Sequence, residues 1–203
     1  MPRRRTVKKT AATAFDVLGI GASWGGVEEL CKLVAALPRD WSVPVVIVQH
    51  QHPYSGTALE RILGKLTSLV VHDVEDKDTI QPGHIYIAPA NYHLLVEQDK
   101  SFSLSIEAPV NFSRPSIDVT FNGLAKVFQR RCVGLVMTGA NNDGAEGIKT
   151  IKAEGGYVMV QSPESAEAPV MPEAAIATGV VDVILPPEAI APHLLQLLHN
   201  GIG

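Results

Sequence analysis

The sequence contains few cysteines and no long hydrophobic run, and each scarcity excludes a class of protein. Cys31 and Cys132 are the only cysteines among 203 residues, and both lie in apolar, regularly patterned segments. We therefore expect two buried free thiols rather than a disulfide. No stretch of about 18 apolar residues occurs, so the sequence predicts no membrane insertion. The amino-terminal end also lacks the apolar core of a secretory signal, and we expect a cytoplasmic protein.

Basic residues are scarce outside the amino-terminal end. Five of the 17 basic residues lie in residues 1–14, which contain no acid, and we expect a disordered basic tail there. The remainder carries 12 basic against 21 acidic residues, a formal net charge of −9. A globular part this acidic is poorly suited to binding a phosphate backbone, so nucleic acid is not an expected partner.

Short apolar runs alternate with helical patterns from residue 15 onward. With 46% hydrophobic residues the chain can bury one substantial core, so we expect one domain over residues 15–203. Runs such as VPVVIVQH are typical of strands buried on both faces of a parallel sheet. The sequence therefore predicts a three-layer α/β/α fold with a mostly parallel, doubly wound sheet. Alternating apolar and polar residues over 84–90 and 93–109, around a turn at residues 98–100, predict an inserted or edge β-hairpin in addition.

A glycine-rich turn joins the first predicted strand to the first predicted helix. It contains the pattern G-x-S-x-G at Gly21, Ser23 and Gly25, which holds a nucleophilic serine above a sheet edge in some hydrolases. The same letters also resemble a dinucleotide-binding turn. That alternative requires an acidic residue at the end of the second strand, where this chain has Gln49 and His50. The turn alone is weak evidence for either function.

His50 and Asp143 add two further polar residues at predicted strand ends. Carboxyl ends of parallel strands gather at one edge of the sheet, so both side chains are expected near Ser23. Taken singly, His50 could be a polar cap on a buried strand and Asp143 the N-cap of the following helix. Taken together, the three predict a triad in which Asp143 accepts the Nδ1–H of His50. The other histidines show no metal-ligand spacing, so we expect no metal.

Several segments resemble one known family. The segments are GIGASWGG, VVIVQH, PGHIYIAPANYH, SRPSIDVTF, VGLVMTGANNDGAEG and MPEAA. Through them the chain is similar, over about residues 17–185, to the catalytic domain of CheB-type chemotaxis protein-glutamate methylesterases. The segments occur in the family's order, and the site residues follow the family's Ser…His…Asp order.

This resemblance implies an enzyme that hydrolyses glutamate γ-methyl esters on the cytoplasmic helices of methyl-accepting chemoreceptors and that also deamidates certain receptor glutamines. It implies no cofactor. An alternative function is a non-catalytic regulatory or nucleotide-binding module that uses the glycine-rich turn for an anionic ligand. Family members of this pathway usually carry a receiver domain, whereas the catalytic pattern here begins by Val17. We therefore expect a stand-alone catalytic domain, with a separate regulatory protein as a further partner.

The resemblance also assigns roles to individual residues around the triad. It implies an oxyanion hole formed by the backbone N–H groups of Trp24 and Ala140, and a substrate cleft shaped by Arg114, Ser116 and Asn142. Ser116 has an alternative role as the cap of the helix that follows it. The residue after the nucleophile is usually small in the family, so the indole of Trp24 is a departure that bears on the substrate.

Overall fold

The computed structural model describes residues 15–52 and 56–200, so the tail predicted over 1–14 lies outside the described residues. Nine strands and six α-helices are formed in this part of the chain. They are β1 Val17–Ala22, α1 Gly26–Ala36, β2 Val45–Gln49, α2 Ala58–Leu63, β3 Val70–Asp73, β4 His84–Ile87, β5 His93–Val96, β6 Phe102–Ser105, α3 Ile117–Phe128, β7 Cys132–Val136, α4 Ala145–Ala153, β8 Tyr157–Gln161, α5 Val170–Ala177, β9 Val183–Leu185 and α6 Pro187–Asn200.

Seven strands form one parallel sheet in the order β3-β4-β2-β1-β7-β8-β9. The chain builds outward from β1 in one direction and then returns to its other side with β7. This reversal makes the β2, β1 and β7 ends a topological switch point, where crevices form in doubly wound sheets. The predicted α/β fold with a mostly parallel, doubly wound sheet is confirmed.

Helices cover both faces of the sheet because its central strands are buried on both sides. On one face Leu30 of α1 and Ile190 of α6 join an apolar cluster with Leu63 of α2. On the other face the equivalent cluster contains Phe121 of α3 and Ile148 of α4. The two clusters are the cores of the three layers, and they leave the strand ends as the place for polar chemistry.

The predicted hairpin is present, although it is smaller than the alternating pattern indicated. Strands β5 and β6 pair antiparallel as a separate two-stranded sheet, with Leu94 and Phe102 buried. Strand β4, which the alternation grouped with the hairpin, instead pairs parallel with both β3 and β2. Its central residues Ile85, Tyr86 and Ile87 are all buried, so this run is a strand of the main sheet rather than an amphipathic edge.

Both cysteines are free thiols, as expected, but only one is fully buried. Cys132 at the start of β7 is completely enclosed, and burial raises the pKa of its thiol strongly. Cys31 on α1 is partly exposed. Over the described residues, no helix is long and apolar enough to cross a membrane.

Candidate active site

Ser23 lies in a tight turn at the carboxyl end of β1. Its backbone N–H donates to the Thr138 carbonyl at 2.9 Å, which ties the turn to the end of β7. Gly25 has a φ of +76°, a left-handed conformation that favours glycine. A Cβ on Gly26 would lie 2.3 Å from the Gln49 side-chain oxygen, so helix α1 starts in contact with the neighbouring strand. The glycines of the motif thus allow the turn to be compact.

The backbone of the second strand brings His50 alongside the serine. The His50 N–H donates to the Ala22 carbonyl at 3.0 Å, which continues the β1–β2 register by one residue. The buried Gln49 amide donates to the Ser23 carbonyl at 2.8 Å and to the His50 carbonyl at 2.9 Å. In consequence His50 Nδ1 lies 3.1 Å from Ser23 Oγ, within hydrogen-bond distance.

The orientation of the His50 ring differs from the prediction. His50 Nε2, rather than Nδ1, faces Asp143, and it lies 2.9 Å from Asp143 Oδ2. The strand order explains the reversal. Ser23 follows the strand next to β2 and meets the ring nitrogen nearer the backbone, whereas Asp143 follows β7, one strand further away, and meets the distal nitrogen.

Asp143 is buried and its carboxylate receives hydrogen bonds from helix α3. It accepts from Ser116 Oγ at 2.8 Å, from Ile117 N at 2.7 Å and from Asp118 N at 3.1 Å, besides His50. Burial acts to raise the pKa of Asp143, but the hydrogen bonds from His50, Ile117 and Asp118 outweigh it and hold the pKa below its ordinary value. The carboxylate is therefore ionised and fully engaged as an acceptor.

The alternative role of Asp143 as N-cap of the next helix is wrong. Gly144 occupies the N-cap position of α4, with no side-chain cap hydrogen bond. Asp143 instead caps the neighbouring helix α3, whose N-terminal amides attract a negative charge.

A second buried carboxylate caps helix α4 in the same way that Asp143 caps helix α3, so the two helices exchange caps. Asp118, in the first turn of α3, accepts from Gly144 N at 2.9 Å and from Gly147 N at 2.7 Å in the first turn of α4. Asn111 Nδ2 donates to Asp118 Oδ2 at 2.8 Å and lies 3.5 Å from Asp143 Oδ1. Burial and the nearby charge of Asp143 raise the pKa of Asp118, against the hydrogen bonds from Gly147 and Gly144. The family motif SRPSIDV placed Asp118 near the substrate cleft, but no sequence pattern predicted that it caps α4, because the exchange depends on helix packing.

Removal of the Asp118 carboxylate should destabilise the fold measurably. Asp118→Ala leaves the Gly144 and Gly147 amides without their acceptor, and each such buried donor costs about 1–3 kcal/mol. Because relief of the repulsion with Asp143 offsets part of this loss, we expect the free energy of unfolding to fall by about 3 kcal/mol.

Urea denaturation measures this effect, and Asp118→Asn is the matched control because its side-chain oxygen can still accept from both glycines. We expect the control to lose less stability than Asp118→Ala. Equal unfolding free energies for Asp118→Ala and the wild type would contradict the capping role.

Two backbone amides beside the serine are available for an oxyanion. Within residues 15–52 and 56–200, neither Trp24 N nor Ala140 N has a hydrogen-bond acceptor. The adjacent Gly139 N donates to the Ala168 carbonyl at 2.9 Å, and Thr138 Oγ1 lies 2.9 Å from the Trp24 carbonyl. These contacts fix the backbone on both sides of the two free amides, and the oxyanion hole at Trp24 and Ala140 stays a prediction.

The Trp24 side chain is held by a residue that sequence reasoning missed. Its indole Nε1 donates to Glu167 Oε1 at 2.8 Å, while 66% of the residue remains exposed. Glu167 lies before α5, far along the chain, so no local signal pointed to it. The indole is therefore an exposed aromatic surface, with its Nε1 edge held by Glu167, next to Ser23.

The three predicted cleft residues have different environments. Ser116 is completely buried under Asp143 and is the N-cap of α3, so its side chain does not line an open cleft. The Arg114 guanidinium donates to the Ile106 carbonyl at 2.8 Å and to the Glu107 carbonyl at 3.0 Å, so it anchors a loop. Asn142 is exposed beside Asp143.

Metal-binding groups are not assembled at this site. No group of three or more His, Cys, Asp or Glu side chains in the part of the chain that the structure describes could hold a metal ion. Gln49, at the position where a dinucleotide site has its acid, is turned inward to the Ser23 carbonyl.

A parallel α/β sheet with serine, histidine and aspartate in contact at its switch point has the arrangement of serine hydrolases. Comparison with known proteins identifies the family more closely. The model of the CheB methylesterase family matches residues 18–194, and the chain belongs to this family.

The similar proteins include both short and long chains. A putative protein-glutamate methylesterase/protein-glutamine glutaminase of Leptospira interrogans is 43% identical over 188 residues, which are 93% of this chain and 97% of that protein. A protein-glutamate methylesterase/protein-glutamine glutaminase of Trichodesmium erythraeum is 34% identical over 96% of this chain but 56% of its own length. The crystal structure of the Thermotoga maritima CheB methylesterase catalytic domain has a TM-score of 0.86 at 31% identity, covering 90% of this chain and 98% of that one.

Proposed function

We propose that this chain is a protein-glutamate methylesterase that removes methyl groups from glutamate γ-methyl esters of methyl-accepting chemoreceptors, and that it also deamidates receptor glutamines. The observation that carries the proposal is the unbroken line of contacts from Ser23 Oγ through His50 to Asp143 in a chain of the CheB methylesterase family. The substrate helices are cytoplasmic, so the proposed location is the cytoplasm. Residues 15–203 are the proposed catalytic unit, with a separate protein as its regulator.

Acyl transfer to the serine is the first step. His50 Nδ1 accepts the Ser23 hydroxyl proton while Ser23 Oγ attacks the ester carbonyl carbon. The carbonyl oxygen becomes negative in the tetrahedral intermediate and is held by the Trp24 and Ala140 amides. His50 Nδ1–H then gives its proton to the leaving methoxide, so that methanol departs and an acyl-enzyme remains.

Water releases the product in the second step. His50 Nδ1 accepts a proton from the attacking water, and the proton returns to Ser23 Oγ as the acyl bond breaks, which leaves a glutamate. Asp143 holds the Nε2–H side of the ring throughout and stabilises the transient imidazolium. A glutamine follows the same course with ammonia as the leaving group.

A fluorophosphonate probe tests whether Ser23 is an activated nucleophile. We expect the wild type to be labelled at Ser23 and His50→Ala to be labelled at least about 100-fold more slowly, because the base is then absent. The position of the label is read by peptide mass spectrometry. An unlabelled wild type, or equally fast labelling of His50→Ala, would contradict the proposal. Saturable nucleotide binding together with no labelling would favour the non-catalytic module.

A further inference from the structure

A two-residue turn near the candidate site carries an unusual residue. Val110 and Ser113 exchange both backbone hydrogen bonds, at 3.1 and 2.9 Å, around Asn111 and Phe112. Asn111 has a φ of +49° and Phe112 a φ of +61°. Two central residues with positive φ are the pattern of a type I′ turn, which strongly prefers Asn-Gly. Asn111 fits this preference, whereas Phe112 occupies the position of the glycine.

Packing does not explain the phenylalanine. Phe112 has a relative exposure of 104%, so its ring buries no surface in the fold. A bulky residue in left-handed backbone is an outlier that destabilises the folded state. The position therefore combines a conformational cost with no gain in core packing, a combination typical of functional sites.

The turn is attached directly to the groups that hold Asp143. Asn111 Nδ2 donates to Asp118 Oδ2 at 2.8 Å and lies 3.5 Å from Asp143 Oδ1. Asn141 Nδ2 donates to Ser113 Oγ at 3.3 Å. Phe112 therefore lies on a hydrogen-bonded turn near Asp143, at one end of the contacts that run from Ser23 through His50 to Asp143. Trp24, which follows Ser23, lies at the other end.

Further exposed apolar residues lie on segments bound to the same turn. The Arg114 guanidinium donates to the carbonyls of residues 106 and 107 and also to Asn91 Oδ1, the last at 2.7 Å, and so links these segments. The linked segments carry four exposed apolar side chains, which we call the apolar rim. They are Tyr92, Ile106, Val110 and Phe112, with relative exposures of 40%, 75%, 38% and 104%. Exposed apolar groups on segments that are held together beside a site are typical of a protein-binding surface.

We infer that the apolar rim docks the protein substrate through the apolar side chains beside its esterified glutamate, and that Phe112 is a specificity-determining residue. The inference rests on the proposed function. Any protein whose glutamyl ester reaches Ser23 brings further residues over the surface around it, whereas a small ester brings none. Phe112 thereby distinguishes a protein ester from a small one.

Replacement of Phe112 by glycine separates docking from folding. Glycine relieves the left-handed backbone, so we expect the midpoint of thermal unfolding of Phe112→Gly to rise by about 1–3 °C. We also expect kcat/KM for methanol release from methylated receptor membranes, divided by kcat/KM for p-nitrophenyl acetate, to fall about tenfold, mainly through KM. Phe112→Leu keeps an apolar group and should retain most of the ratio.

Gln129→Gly is the matched control. Gln129 is exposed, has a φ of +50° and caps the opposite end of α3, away from the serine. We expect Gln129→Gly to raise the midpoint of thermal unfolding as Phe112→Gly does, while the activities on receptor membranes and on p-nitrophenyl acetate stay unchanged.

An unchanged activity ratio in Phe112→Gly, in an active wild type, would overturn the inference alone. A fall in stability, or an equal loss on both esters, would overturn it as well by assigning Phe112 to the fold or to the chemistry. A wild type that releases no methanol would remove the proposed function and this inference with it.

Discussion

Ser23→Ala is expected to lower methanol release from methylated receptor membranes by at least about 10⁴-fold, because no other atom replaces the attacking oxygen. The proposed chemistry forms its covalent bond at Ser23 Oγ, and the hydroxyl is the group that His50 Nδ1 contacts. In this variant, direct attack by water on an ester held at the oxyanion amides would give only residual hydrolysis. Release of radioactive methanol from receptor membranes methylated with a labelled methyl donor measures the loss.

The fold of this variant should be intact. Ser23 is half-buried, and its turn is held by the backbone bond to Thr138 and by the Gln49 amide, neither of which involves the hydroxyl. Ser42→Ala is the matched control, since Ser42 is an exposed serine before β2, at the opposite edge of the sheet. We expect full activity from the control. An active Ser23→Ala protein would contradict the nucleophilic role, whatever the control shows.

The fold and the neighbourhood of the three site residues could be predicted because both depend on one-dimensional patterns. Apolar runs that alternate with helical spacings define a parallel sheet, and the polar residue after each run is then placed at one edge. Ser23, His50 and Asp143 follow β1, β2 and β7, and the adjacency of those strands brings them together. Strand order was not predicted, yet it decides which nitrogen of His50 meets which partner.

The residues that hold the site in place were harder to predict because they act across the packing of two helices. A cap of α4 was one of the two roles open to Asp143 in the sequence, yet Asp143 caps α3, and Asp118 of α3 caps α4. A sequence pattern assigns a cap to the nearest helix, and only the three-dimensional contact of α3 with α4 allows the exchange. Phe112 was likewise missed, since its significance lies in a backbone angle that the sequence does not specify.

Asp143→Asn is the second change with a large expected effect. Both Asp143 oxygens only accept hydrogen bonds, from His50 and Ile117 on one side and from Ser116 and Asp118 on the other. An asparagine must turn its NH₂ group toward one of these pairs of donors, so buried donors lose their acceptor in either orientation. We expect a loss of about 2–3 kcal/mol in the free energy of unfolding.

The effect on catalysis should be larger than the effect on stability. An NH₂ group facing His50 requires Nε2 to accept, which places the ring proton on Nδ1, the nitrogen that must accept the Ser23 proton. The base is then in the wrong tautomer, and kcat should fall by about 10⁴-fold. The rate of methanol release by the folded Asp143→Asn protein measures this fall in kcat. Asp118→Asn is the control, because it also removes a buried charge near the site. A loss below about tenfold would contradict this change of tautomer.

The dependence of stability on pH gives an independent test of Asp143. Its pKa is lowered in the folded state, so its ionised form stabilises the fold fully above its unfolded pKa of about 4. That stabilisation is lost as pH falls through the lower folded pKa. Between pH 6 and about 2 the wild type should therefore lose more unfolding free energy than Asp143→Asn, which has no proton to bind there. Parallel curves for the two proteins in urea titrations would mean that the contacts from His50, Ile117 and Asp118 do not favour the ionised carboxylate, and the positioning of His50 would need another explanation.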